Sequence, residues 1–431
     1  MDSIVAYRGA IPVCREEFLA DVHAIAASIP ETEHVLNLCK DRYWFAATLF
    51  ASISRGALSI LPNSAAPEIV SGLSMEIPDL VCLGDQPSIS HDMPYLRISG
   101  FKAAKPMPPV PQIPANRTIM QVYTSGSTGK PKSHAKTFGK IFGCAKAEAA
   151  RMWEVADGPC AVLGTVPFQH MYGLESTIFL PLLGGGRLSS PLPFFPADVA
   201  DSLAALPEPR LLVTTPFHLG KLVDSEMEFP RISTIVSATA PLSVELAKIA
   251  EEKLGAPILE IYGSTETGQI ATRRPTGTVR WKTYDGISLS QEQGATIASG
   301  GYLEGPQLLP DILELEDESH FRLIGRNSDM VNVAGKRSSL AYLNQVITSV
   351  PGVRDGVFCV PEPDEGASRL AAFVVAPGLN QHDIHAALLE KLDPLFLPRP
   401  VVFLDSLPRD GNGKIRAAAV SELVARHIHA R

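Results

Sequence analysis

The chain has 431 residues, enough for two or three domains, and its 45% hydrophobic and 19% charged residues suit a globular protein with a large apolar core. A formal net charge of −8 argues against broad binding to nucleic acid or to an anionic membrane surface. Cys14, Cys39, Cys82, Cys144, Cys160 and Cys359 form no C-x-x-C pair, which disfavours a zinc site or a disulfide framework. The opening MDSIVAYRGAIPVC lacks a basic segment leading into a long apolar one and is not read as a secretory signal. No run of about 18 apolar residues is free of charge, so no membrane span is expected and the cytoplasm is the default compartment. The nearest run, 44–61, is interrupted by Arg55 and Gly56 and reads as a buried helix followed by a strand.

In chain order, β-rich runs at 34–39, 57–61, 79–83, 119–123, 160–166, 210–215, 232–237 and 257–263 alternate with helical patterns. The clearest helix is 241–255, with apolar residues three and four apart, Pro241 near its start and Gly255 at its end. Such alternation predicts an α/β fold with largely buried sheets. The segment 103–116 is a proline-rich connector. After about residue 326 the pattern restarts: a strand, a Gly turn and a helix over 329–353, two strands in 353–363 and 368–377, and a helix over 382–396. The expected architecture is a large N-terminal domain of packed β-sheets and helices, 1–326, and a small α+β C-terminal domain, 329–431.

Four separated stretches carry the chemistry. YTSGSTGKPK (123–132) follows a strand and crowds hydroxyls, glycines and lysines as a phosphate-binding loop would. It is not the familiar P-loop: two residues, not four, separate Gly126 from Gly129, and Pro131 stands where a metal-binding hydroxyl would be. EIYGSTETG (260–268) also follows a strand and offers Glu266 as a Mg²⁺ ligand and Tyr262 as a flat face for a purine. RLIGRNSDMVNVAGKR (322–337) puts Arg326 and Asp329 at the domain boundary. SLPRDGNGKIR (406–416) puts Lys414 on a Gly-rich turn. Taken singly, each is also compatible with an ordinary polar turn.

In this order and spacing the four stretches resemble the adenylate-forming superfamily, which includes acyl- and aryl-CoA synthetases. The resemblance implies a two-step reaction. A carboxylate attacks the α-phosphate of Mg·ATP to give an acyl-adenylate and pyrophosphate, and a thiol then displaces AMP. It places Thr124, Ser125, Gly126, Ser127, Thr128, Gly129 and Lys130 around the β- and γ-phosphates. Tyr262, Gly263, Ser264 and Thr265 flank adenine and the α-phosphate, with Glu266 on Mg²⁺. Asp311, in an L-P-D wording that departs from the usual T-G-D, and Arg326 hold the ribose. Lys414 bridges carboxylate and α-phosphate oxygens. The resemblance also makes the C-terminal α+β domain mobile about a hinge at 327–328, with Ser328 standing where Asp or Lys is common. Lys414, Glu266 and His170 are the expected catalytic residues.

VPFQHMYGLEST (166–177) matches the family's P-F-x-H-x-x-G stretch, and TIVSATAPL (234–242) resembles the segment lining the adenine and acyl sites. The acid is thereby expected against His170, Tyr172, Gly173, Ser237, Ala238, Gly263 and Ile270, with Ser237, Ala238 and Thr239 also near the nucleotide. No acidic residue in these two lining stretches calls for an amino acid's ammonium group, so an aromatic or medium-chain acid fits. The compact form most resembles the stand-alone ligases of aryl-polyene pathways, which implies a hydroxybenzoate-type acid such as 4-hydroxybenzoate and the phosphopantetheine thiol of a separate acyl carrier protein. A CoA ligase, and a non-catalytic sensor of nucleotide or acyl-adenylate, are the alternatives. If Ser328 is the hinge, Ser328→Pro, which fixes φ near −65° and removes a backbone donor, lets adenylate accumulate while thioester yield falls. Single-turnover assays of both half-reactions test this, and wild-type rates in both place the hinge elsewhere.

Overall fold

The computed structural model describes residues 3–62, 64–87, 93–98, 110–124, 132–326, 330–333, 336–361, 370–409 and 415–429. The chain forms a large N-terminal α/β domain and a smaller C-terminal one. An eleven-stranded sheet dominates the first. Its centre is parallel and runs through Arg187–Ser189, Ala161–Gly164, Arg210–Thr214, Thr234–Ser237 and Ile258–Ser264. Beyond Ile258–Ser264 the pairing turns antiparallel, through Gly268–Arg273, Trp281–Thr283, His320–Arg326 and Asp311–Leu315. At the other edge lies a feature without a sequence forecast, the hairpin Ile4–Arg8/Ile11–Cys14.

The central strands are apolar throughout because both faces are covered. Val162, Leu211, Val213, Val236 and Ile261 pack against the helix Phe138–Ala156. Their neighbours Ala161, Leu163, Leu212, Ile235 and Ile258 turn to the opposite face, under the helices Pro196–Ala204, Pro216–Asp224 and Val244–Leu254. Val244–Leu254 starts on Ser243, whose side chain accepts from Leu246 N, and stops at Gly255 in the left-handed conformation. The forecast boundary at Pro241 therefore lies in the approach to the helix.

A second sheet has six strands in the order Tyr95–Arg97, Val81–Gly84, His34–Asn37, Leu58–Leu61, Thr118–Thr124 and Lys132–Thr137. All pairs are parallel except the last. The helix Arg42–Arg55, ended by Gly56 at φ 90°, packs between the sheets. The expected buried helix and following strand are therefore present. Of the proline-rich connector, 103–109 lie outside the described residues, and 110–116 carry no helix or strand.

In the C-terminal domain a hairpin, Met330–Val333/Lys336–Ser339, precedes the helix Leu340–Thr348. A three-stranded sheet follows, Asp355–Cys359, Ala371–Val375 and Val401–Phe403. The helix expected over 382–396 is shorter, Gln381–Leu389, followed by a single 3₁₀ turn at Pro394–Phe396. Pro394 cannot continue a helix without losing a backbone bond.

Arg42 fastens the helix Arg42–Arg55 to the large sheet. It is wholly buried, and its guanidinium donates to Ser189 O at 2.8 Å, Pro191 O at 2.6 Å and Gly164 O at 2.8 Å, at the ends of two strands of the large sheet. Hydrogen bonds from a charged donor are each worth about 1.5–3 kcal/mol. Arg42→Met is therefore expected to lower stability by at least about 3 kcal/mol, read as a shift of the urea midpoint with the m-value unchanged. A shift below about 1 kcal/mol would mean that water replaces the guanidinium at no cost.

Candidate active site

The two sheets meet at the turn 265–267, between the antiparallel strands Ile258–Ser264 and Gly268–Arg273. This turn is made possible by two glycines. A Cβ on Gly263 would stand 2.3 Å from Gly268 O, and one on Gly268, whose φ is +74°, would stand 2.6 Å from Glu175 Oε1. Glu266 projects from the turn with its side chain 49% exposed. Burial raises its pKa, but a backbone N–H, the Ser264 hydroxyl and the charges of His134 and Lys132 outweigh that and hold it below the ordinary value. The carboxylate is thus ionised and accessible. His134 Nε2 is 3.7 Å away. Burial lowers the His134 pKa, and the facing Glu266 carboxylate offsets part of that.

Tyr262 is 8% exposed, with its ring edge-on to Trp281 and Phe321 at 5.7 and 5.4 Å. Its hydroxyl donates to Asp311 Oδ2 at 2.6 Å. Asp311 and Arg326 are direct partners across their two strands. The structure therefore brings together Tyr262, Asp311 and the backbone of Arg326, which are far apart in sequence. Ile270 is wholly buried in the apolar cluster that holds Tyr262.

The segment VPFQHMYGLEST lies on the other side. His170, partly exposed, precedes the turn Met171–Leu174. The Tyr172 hydroxyl donates to Thr214 O and Val236 O, both at 3.0 Å, which fixes its ring against the ends of two central strands. A Cβ on Gly173 would stand 2.2 Å from Pro167 O, so only glycine fits there. Ser237 ends its strand, Ala238 is buried, and Thr239 follows at φ +79°. Ser237 Oγ and Thr239 Oγ1 are buried and have no hydrogen-bond partner among the described residues. Unsatisfied hydroxyls and a strained residue at the carboxyl end of a parallel strand are features of a ligand site.

Thr124 ends its strand opposite Lys132 in the antiparallel neighbour. The loop between them therefore joins two strands, unlike a P-loop, which leads into a helix. Ser125, Gly126, Ser127, Thr128, Gly129 and Lys130 lie outside the described residues, as do Ser328, Asp329 and Lys414.

A buried polar layer beneath the turn was not anticipated. Lys136, on the edge strand Lys132–Thr137, donates to Thr265 O and, at 3.2 Å, to Glu266 O. Lys140 donates to Glu266 O at 2.6 Å. Along the buried face of Phe138–Ala156, Lys140, Cys144 and Glu148 recur four apart. Cys144 Sγ donates to Glu175 Oε1 at 3.3 Å. Ser176 Oγ donates to Glu148 Oε1 at 2.6 Å, Gln269 Nε2 to Ser176 Oγ at 2.8 Å, and Tyr284 OH to Gln269 Oε1 at 3.1 Å. The π-helical turn Glu175–Phe179 brings the consecutive residues Glu175 and Ser176 both inside. Spacing of four puts Lys140, Cys144 and Glu148 on one helix face but does not say that this face is buried.

These observations accord with the comparisons. The family described as AMP-binding enzyme matches residues 23–295, more than half of the chain, and the AMP-binding enzyme C-terminal domain matches 343–414. The chain belongs to the AMP-binding enzymes, the adenylate-forming superfamily. It is 27% identical over 339 residues to p-hydroxybenzoic acid–AMP ligase FadD22 of Mycobacterium marinum, a match covering 69% of this chain and 48% of that protein. It is 29% identical over 299 residues to 4-coumarate–CoA ligase of Rhodobacter capsulatus, covering 68% of this chain and 73% of that protein. The matched part thus spans about half the length of the first relative. In fold it is similar to o-succinylbenzoate CoA synthetase (MenE) of Bacillus subtilis in complex with its acyl-adenylate, with a TM-score of 0.81 at 20% identity over 96% of this chain and 94% of that one. The same holds for ATP-bound MatB of Rhodopseudomonas palustris, at 0.82 and 16% over 98% and 96%.

The residues present fit Mg²⁺ arriving with a nucleotide. Among the described residues no group of three or more His, Cys, Asp or Glu could hold a metal ion unaided. One accessible, ionised carboxylate suits Mg²⁺, which keeps its waters and takes its other ligands from phosphate oxygens.

Burial raises the pKa of Glu148 to about 8, so the folded chain holds this proton well above the ordinary 4.5. Between those values the folded state binds more protons than the unfolded one, and this residue's contribution to stability falls as pH rises. Glu148→Gln mimics the protonated form. It is expected to leave Tm unchanged at pH 5 and to raise it by a few degrees over the unsubstituted chain at pH 9. An equal shift at both pH values would count against this reading.

Proposed function

We propose that the chain activates an aryl carboxylic acid with ATP and passes the acyl group to a thiol. The observation that carries this is that one sheet holds an accessible, ionised Glu266, the Tyr262–Asp311 bond with Arg326 paired to Asp311, and, at the carboxyl end of a parallel strand, the orphaned Ser237 and Thr239 hydroxyls. A carboxylate attacks the α-phosphorus, the bond to the bridging oxygen breaks, and pyrophosphate leaves. The thiol then attacks the acyl carbon, AMP departs and the thiol proton is released. Glu266 would hold Mg²⁺, which neutralises charge on the phosphates. Ser237, Thr239, Tyr262, Asp311 and Arg326 orient the nucleotide, and the loop 124–130 receives its outer phosphates. His170 and Tyr172 wall the acid near its carboxylate, and Lys414 is the cation that joins the carboxylate to the α-phosphate. Most of the advantage comes from orientation and charge neutralisation.

The proposed acid is a hydroxybenzoate, 4-hydroxybenzoate first, and the proposed acceptor is the phosphopantetheine thiol of a separate acyl carrier protein. The polar layer behind Tyr172, with Glu148, Ser176 and Gln269, supports a ring bearing a polar substituent over a fatty chain. The similarity to a p-hydroxybenzoic acid–AMP ligase supports the same reading. Free CoA is the second reading for the acceptor, favoured by the similarity to a 4-coumarate–CoA ligase. The small domain, hinged at 327–328, is proposed to carry Lys414 in for adenylation and away for thiol transfer.

Pyrophosphate release over a panel of benzoates, hydroxybenzoates and medium-chain acids, followed by transfer to CoA or a carrier protein, tests these assignments. Release with no acid would overturn the activity. Lys414→Ala is expected to lower adenylate formation at least about 100-fold, while transfer from preformed adenylate continues. Wild-type pyrophosphate release in that variant removes Lys414 from the reaction.

A further inference from the structure

Lys136 and Lys140 are 1% and 6% exposed, and both ammonium groups converge on one turn. A buried lysine on an edge strand needs a reason, because burial disfavours its charge and a second ammonium beside it disfavours it further. Two features offset that here. The carbonyls of Thr265 and Glu266 accept from the ammonium groups, and the buried Glu175 supplies opposite charge to Lys136. Glu175 also bears on Gly268 from beneath. Carbonyls in tight turns ordinarily face water, whereas these two are held from below by cations.

We propose that Lys136 and Lys140 are positioning residues that hold the backbone of Thr265 and Glu266 from below, so that the Glu266 carboxylate is presented upward for the metal·nucleotide. Neither lysine touches the substrates. They act through the turn, and the inference rests on the proposed role of Glu266. The short path from lysine to carbonyl to carboxylate requires that loosening the lysine loosens the carboxylate.

The test compares Lys136→Met, Lys136→Arg and Lys140→Met in the full chain. The direct readout is Mn²⁺ affinity for the enzyme·ATP complex, measured by electron paramagnetic resonance, which needs no acid and no turnover. Lys136→Met is expected to weaken Mn²⁺ at least tenfold and to raise the Mg²⁺ concentration for half-maximal pyrophosphate release by a similar factor. Transfer from preformed adenylate, which needs no metal, continues. Lys140→Met is expected to produce a smaller shift in the same direction, and Lys136→Arg, which keeps a donor, to recover most of the affinity. Unchanged Mn²⁺ affinity in both Met variants overturns the proposal. So does a fall in both half-reactions that tracks loss of folded protein, with Arg no better than Met. If Lys136→Met does not fold, Lys140→Met alone decides by the same affinity. If no acid supports pyrophosphate release in the unsubstituted chain, the proposed activity fails while the Mn²⁺ comparison still decides this one.

Discussion

Two ammonium groups buried against one peptide turn constrain everything around them. Lys136 belongs to the edge of the six-stranded sheet, and the turn it holds belongs to the eleven-stranded one. The bonds from Lys136 and Lys140 therefore locate one sheet against the other at the place where a nucleotide would lie. The loop 125–131 leaves from Thr124 and returns at Lys132, four residues before Lys136. Its two ends are tied, through a single strand, to the same clamp that holds Glu266. The proposed phosphate loop and the proposed metal ligand, which come from separate sheets, are thus held by one set of polar contacts.

Close approach is the second consequence. Gly263 has no space for a Cβ because the backbone of Gly268 and Gln269 crosses it, Gly268 has none because Glu175 stands against it, and Gly173 is pressed against Pro167 O in the facing segment. The glycines of EIYGSTETG and of the P-F-x-H-x-x-G stretch are thus explained by contact distances within the chain. Arg42 holds a helix to the large sheet much as the lysines hold the turn. It satisfies three carbonyls where two layers meet and could not be replaced by an apolar side chain of equal length without leaving them unpaired.

The eight forecast strands are all present, because each is a short apolar run bounded by polar or glycine residues and the fold buries both faces. The pairing of Asp311 with Arg326 was also legible, though only as a common destination and not as adjacent positions on neighbouring strands. The buried layer was not. KSHAKT reads as a solvent-facing edge, since the lysines alternate with small residues and nothing local says that one of them turns inward. Glu148 reads as an exposed helix position until its partners, Ser176 and Gln269, are known. The π-turn at Glu175 adds one residue to a helical repeat, so spacing rules misplace whatever follows it. Long-range polar partners decide these positions, and a single sequence states each partner separately.

The C-terminal domain obeys a different rule. Along Ala371–Val375 every residue is buried, and alternate residues serve two cores. Ala372 and Val374 join Leu343, Ile347, Ile384 and Leu388 on one face, while Ala371, Phe373 and Val375 join Leu423 and Val424 on the other. Among the described residues, both cores draw only on positions after 330. The link back to the large domain includes a polar contact, Ser339 Oγ to Ile324 O at 3.4 Å. A domain whose apolar surface is closed upon itself can turn about a short connection without exposing its core, so rotation costs the breaking of polar contacts that water can replace. That energetic separation is what a two-pose reaction requires. In the proposed reaction it would let one small domain bring Lys414 in for the first step and withdraw it for the second.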